Sequence, residues 1–128
     1  MSVKTIITEP NKILRQISKP VNNVGKDEQS LMDDMLETMY AADGIGLAAI
    51  QIGIPKRIIV MDISWTKGEK KPMYFVNPVI KNKDNDKSIY EEGCLSVPNQ
   101  FAEIERPKNC EVEYLSLIHI SEPTRPRI

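Results

Sequence analysis

The sequence predicts an α+β domain in which antiparallel strands pack around one helix. Two observations carry this. From Gln29 to Ala42 the apolar residues recur as two adjacent ladders, Leu31–Met35–Met39 and Met32–Leu36–Tyr40, which make one broad helical stripe. After that stripe come short β-branched or alternating runs set between polar turns, a strand pattern rather than a series of further helices.

The first twenty residues read as turn and extended chain, because Pro10 and Pro20 disfavour helix at the residues before them. Asp27 or Ser30 can cap the helix start, and the acidic residues of its early turns suit the positive end of the dipole. Gly44 stands just past its end as a stop signal. The helix methionines are read as core packing.

The runs Arg57–Ile63 and Met73–Asn77 are predicted to pair antiparallel across the polar segment Ser64–Pro72, with the second ending at Pro78 and Val79-Ile80 continuing beyond it. Lys81–Lys87 reads as a polar turn, and Ser88–Glu92 as a strand entering a cysteine loop. Cys110–Leu115 alternates polar and apolar, like a strand with one wet face. Beyond Leu115 the periodicity stops. Residues 1–115 are therefore read as one domain and 116–128 as an irregular tail foreign to it.

Composition narrows the function classes. A chain of 128 residues, 41% hydrophobic and 27% charged, is ordinary globular material with room for one modest core. A net charge of −1 gives no electrostatic reason to expect nucleic acid or an anionic membrane as partner. No apolar run reaches the roughly 18 residues that span a bilayer, and the N-terminus has no secretory h-region. A cytoplasmic monomer is expected, with Cys94 and Cys110 as free thiols.

Two motifs carry chemistry. Gly44-Ile45-Gly46-Leu47-Ala48-Ala49-Ile50-Gln51 matches a dinucleotide-binding spacing, with Asp62 as the acidic partner. That reading needs a strand before the glycines and a crossover helix after them. Here a helix comes before, and no helix fits in the short span to the next strand. The second motif is Glu92-Gly93-Cys94-Leu95-Ser96.

Together the two strings resemble two of the three signature segments of the peptide deformylase family, and the resemblance covers about residues 1–115. It implies a peptide-deformylase-like fold, incomplete at the C-terminus. It also implies metal-dependent hydrolysis of the N-formyl group from the N-terminal methionine of nascent polypeptides. Cys94 takes the place of a metal ligand, for Fe2+ or for Zn2+ or Ni2+ in its stead. The Gln51 side-chain amide and the Leu95 backbone N–H take the places of the donors to the developing oxyanion. Ile45, Gly46 and Gly93 match the substrate-binding backbone, which would pair with an N-formylmethionyl peptide near the ribosome. Glu92 and Arg106 match a pair that supports the cysteine loop.

The family's third segment, an H-E-x-x-H helix that supplies two ligands and the catalytic glutamate, has no counterpart here. The one histidine, His119, is followed by Ile-Ser-Glu-Pro rather than a helical partner. The chain as given is expected to be inactive and not to retain metal. A non-catalytic peptide-binding module on the same fold is the alternative. A cysteine hydrolase built on Cys94 and His119 lacks an orienting group.

Overall fold

The computed structural model describes residues 2–83, 87–107, 110–115 and 123–124. The helix, α1, spans Lys26–Ala41. Its N-terminus is closed by Glu28, whose carboxylate accepts the Gly25 N–H at 3.0 Å. At its C-terminus Asp43 N–H donates to Tyr40 O at 3.1 Å and Gly44 N–H to Met39 O at 2.9 Å. This is a Schellman closure. The left-handed residue in it is Asp43, with φ 57°, and not the glycine the sequence offers.

The apolar stripe of α1 is the core. Met32, Met35 and Met39 are fully buried, and they pack with Leu47, Ile58, Val60 and Val76 from the strands. Each such side chain removed from water stabilises by about 1.5–3 kcal/mol.

Five strands form the main sheet: β1 (Gly46–Ala48), β2 (Ile58–Met61), β3 (Met73–Lys83), β6 (Cys110–Leu115) and β7 (Pro123–Thr124), in the order β1-β2-β3-β6-β7. Every pairing is antiparallel. The expected pair appears as β2 on β3, with Ile59 opposite Phe75. Two further strands among the described residues, β4 (Lys87–Cys94) and β5 (Val97–Pro107), make a separate two-stranded ribbon.

Gly25 with Glu28 closes the helix start in place of Asp27 or Ser30, and β3 runs to Lys83, into the turn expected over Lys81–Lys87. The strands differ from the sequence reading in three more places. The β3 strand does not end at Pro78. It passes through with a register shift between Val76 and Val79, and Asn77 takes a left-handed φ of 52°. A bulge of this kind lets a residue without an N–H sit inside a ladder. Asn77 is held there by its side chain, which accepts Val21 N–H and donates to Val21 O, each at 2.8 Å.

The second departure is β5, an 11-residue strand over a stretch to which the sequence reading assigned no element. The third is that part of the glycine string is itself a strand, β1. The tail 116–128 lies outside the described residues except for Pro123–Thr124, which pair with Leu115 and Tyr114. His119 also lies outside them.

Candidate active site

The site lies where one edge of the main sheet meets the tip of the ribbon. On the sheet side, β1 hydrogen-bonds β2 along one edge only, with Leu47 opposite Val60 and buried. Its other edge is unpaired among the described strands. The chain then turns through a short 3-10 helix, Ala49–Ile52, which closes at Gly53 with a left-handed φ of 87°. A buried Ala49 anchors that turn, and the turn projects Gln51 toward the ribbon.

On the ribbon side, Gly93 is opposite Phe101 while Cys94 is opposite Val97, so a register shift falls at the cysteine. Cys94 therefore sits at a distorted hairpin tip, exposed and as a free thiol.

The two motifs meet at Gln51. Its Oε1 accepts the Ala48 N–H at 3.0 Å. That bond fixes the amide orientation and turns Nε2 toward the ribbon, where it donates to Ser96 Oγ at 3.1 Å and lies 3.5 Å from Cys94 Sγ. A neutral donor is thus aimed at the position next to the thiol. Leu95 seats the hairpin against the helix end. A Cβ on Gly44 would stand 2.7 Å from Leu95 Cδ1, so any side chain there would make the end of Leu95 shift.

The floor beneath the glycine string is a hydrogen-bonded hub. Asp62 is fully buried, and its carboxylate accepts the Tyr40 hydroxyl at 2.6 Å and the N–H groups of Ser64, Trp65 and Lys71. Burial by itself would raise the Asp62 carboxyl. The Tyr40 hydroxyl and the three backbone donors outweigh it and hold the group below its ordinary value. Desolvation, then the Asp62 carboxylate, raise Tyr40. The hub reaches the glycine string twice: Trp65 Nε1–H donates to Gly44 O at 2.9 Å, and Asp62 N–H to Ile45 O at 2.9 Å. Tyr40 meets Trp65 edge-on, and Lys70 covers the Tyr40 ring.

Behind the cysteine, Arg106 grips Glu92 through Nε and a terminal nitrogen at 2.9–3.0 Å. The side-chain hydrogen bonds from Arg106, and its charge, keep the Glu92 carboxyl below its usual value.

A cleft of about 890 Å3 opens between the motifs. Ile45, Gly46, Gln51, Glu92, Gly93, Cys94 and Leu95, all singled out from the sequence, line it. Arg106, the other residue singled out, is not among its lining residues and reaches the site through Glu92. Ile45, Gly93 and Cys94 are exposed. Sequence reasoning missed Ser96, although its hydroxyl stands two residues from the cysteine, and it missed Asp62 and Trp65 as supports. The signal for Asp62 was a lone carboxylate after an apolar strand and before a tryptophan.

A divalent metal does not fit the donors described. Among the described residues no three His, Cys, Asp or Glu side chains gather in one place. Besides Cys94, the ligand-type residues that line the cleft are Asp43 and Glu92, and Arg106 holds both oxygens of Glu92. A single thiolate leaves a tetrahedral site short of ligands.

The class of this α+β scaffold follows from its similarity to known proteins. The family model for polypeptide deformylase matches residues 3–122. A peptide deformylase of Pelagibacter ubique is 77% identical over 115 residues, covering 90% of this chain and 67% of the relative. One from Maricaulis maris is 56% identical over 115 residues, covering 90% of this chain and 66% of the relative. Among solved structures, a peptide deformylase from Ehrlichia chaffeensis in complex with actinonin has a TM-score of 0.90 at 39% identity, covering 99% of this chain and 75% of that one. The Thermotoga maritima enzyme also gives 0.90, at 36% identity, covering 100% of this chain and 82% of that one.

The chain belongs to the peptide deformylase family. It spans about two thirds of the length of the curated relatives it matches.

Proposed function

We propose that this protein serves the removal of the N-formyl group from the N-terminal methionine of nascent polypeptides in the cytoplasm. The observation that carries the reading is the placement of Gln51 Nε2 beside Cys94, with its orientation locked by Ala48. In the hydrolysis, water adds to the formyl carbon and the C–N bond breaks. Formate leaves, and the amine nitrogen takes up a proton that comes from the added water.

As water adds, negative charge develops on the formyl oxygen. Gln51 Nε2 and the Leu95 N–H are the two donors that would meet it, and donors of this kind are each typically worth a few kcal/mol. Ile45 and Gly93 would pair with the substrate main chain, and Gly46 keeps the backbone open to it. Such pairing reads main chain and tolerates many sequences beyond the methionine. Glu92, neutralised by Arg106, holds the cysteine loop in place.

The family's metal-dependent chemistry assigns Cys94 as one ligand of a divalent ion, iron, zinc or nickel. The described residues supply no others, so no step is derived through it. The 128-residue chain is expected to retain little metal and to turn over little formyl-Met-Ala.

Binding provides the test that turnover does not. Formyl-Met-Ala-Ser should shift the Gln51 side-chain and Leu95 backbone amide resonances, and Met-Ala-Ser at the same concentration should not. Equal response to both peptides would remove the formyl group from the reading. Near-stoichiometric metal with turnover would show that residues beyond those described complete the site.

A further inference from the structure

The oxyanion donors proposed above belong to two sheets that share no strand pairing: Gln51 follows β1, and Leu95 lies between β4 and β5. Their spacing must be fixed by something other than a ladder. The N-terminal segment crosses both. It starts on the helix, where Ser2 N–H donates to Asp34 Oδ1 at 2.7 Å and Lys4 N–H to Thr38 Oγ1 at 2.8 Å. It then reaches the two motifs in turn: Ile7 N–H donates to Gln51 O at 2.7 Å, and Glu9 N–H to Ser96 O at 2.9 Å.

Ile7 and Glu9 are two residues apart, the spacing at which an extended chain turns its groups to one side. One short stretch of main chain is therefore bonded to the donor residue of one motif and to the residue after the donor in the other.

We infer that residues 2–9 are a strap that sets the distance between the two oxyanion donors, with Ile7 and Glu9 as positioning residues acting through their backbone N–H groups. This rests on the proposed function for what the donors do, but not for where they stand. The helix end of the strap is firmly seated. Thr38 is 1% exposed and also donates to Asp34 O at 2.7 Å, so the Lys4 bond is made to a hydroxyl with no freedom to turn away.

The motif end is braced across the cleft by the Gln51–Ser96 side-chain bond. Gln51 and Ser96 are thus tied by their side chains directly and by their carbonyls through the strap. Two ties at different depths resist rotation where one would act as a hinge. The Glu9 side chain is exposed and Ile7 is only half-buried. Neither adds much to the core, which separates this role from general packing.

The test uses the full 128-residue chain and the Gln51 side-chain and Leu95 backbone amide resonances. Ile7→Pro and Glu9→Pro delete one N–H each. Ile7→Ala and Glu9→Ala keep it and serve as controls. The proline variants should move both resonances and weaken formyl-Met-Ala-Ser binding about tenfold. The methyl resonances of Met32, Met35 and Met39 should stay in place, and the alanine variants should bind as the parent does.

If a proline variant does not fold, Thr38→Val loosens the strap from its other end and should move the same two resonances in the same direction, by less. Unmoved donor resonances in the proline variants or in Thr38→Val would overturn the inference. So would donor shifts that occur only together with core methyl shifts. A parent chain that ignores the formyl group sinks the proposed function alone, because the resonances still judge the strap.

Discussion

The main sheet with α1 and the β4–β5 ribbon are held by different physics. In the first, fully buried methionines and β-branched side chains interlock from elements far apart in sequence, and the strands share ladders. Among the described residues the ribbon's strands form a ladder only with each other. Among the described residues, the contacts that join it to the rest include Gln51 to Ser96 and Cys94, Glu9 to Ser96, and Leu95 seated over Gly44. The proposed chemistry sits on that seam. A scaffold of this design can keep its fold while its site loosens, so stability and binding should separate under mutation.

The largest effect should come from the core. Met35→Ala removes a fully buried side chain between α1 and the sheet. It is expected to cost about 2–5 kcal/mol in chemical unfolding. Loss of under 1 kcal/mol would mean that the two regions are less different than their burial implies.

Next is the seam. Gly44→Ala drives a Cβ to within 2.7 Å of Leu95 Cδ1, whereas at Gly46 the nearest atoms lie 3.8 and 3.9 Å away. Gly44→Ala should cost about 1–3 kcal/mol and displace the Leu95 amide resonance. Gly46→Ala should leave the unfolding midpoint nearly unchanged. Equal effects of the two would show that the hairpin does not rest on the glycine as described.

The hub beneath the seam predicts a pH dependence. Asp62 is held below its ordinary value of 3.8, so its contribution is complete above that value and is lost as pH falls through the lower, folded one. Glu28, lowered mainly by the Gly25 N–H, and Glu92, lowered by Arg106, act in the same direction. Tyr40→Phe removes one donor from Asp62 alone. Its acid unfolding should begin at higher pH than that of the parent, with the other two carboxylates unaffected. Superimposable acid limbs would show that the Tyr40 bond does not set the Asp62 carboxyl.

The same contrast explains what the sequence disclosed. The α1 stripe and the β2–β3 pair were legible because burial imposes a period on them. Gln51, Cys94 and their neighbours were legible because two fixed strings carry them, and the structure brings those strings to one cleft. The ties of the seam were not legible. Ile7 and Glu9 act through backbone N–H groups, which every residue but proline has, so no side chain announces them. β5 was assigned no element, and its ladder with β4 is set by the partner strand. At Asn77-Pro78 the proline signalled an end, but an asparagine able to take a left-handed φ and bind Val21 turned the end into a bulge.

The smallest effect concerns the joint between helix and seam. Asp43 carries φ 57° at the end of α1, in a conformation that costs an L-residue roughly 1–2 kcal/mol. Glycine would relieve most of that strain but would lose more freedom on folding, which returns about 0.5–1 kcal/mol. Asp43→Gly should therefore raise stability by only about 0.5 kcal/mol. The Schellman bonds from residue 43 to Tyr40 O and from Gly44 to Met39 O use backbone alone and survive the change. Because Asp43 also lines the cleft, thermal unfolding and the Leu95 amide resonance should be followed together. A stabilised helix end with an unmoved Leu95 is the expected result. A shifted Leu95 would mean that the turn conformation at residue 43, and not Gly44 alone, sets where the hairpin sits.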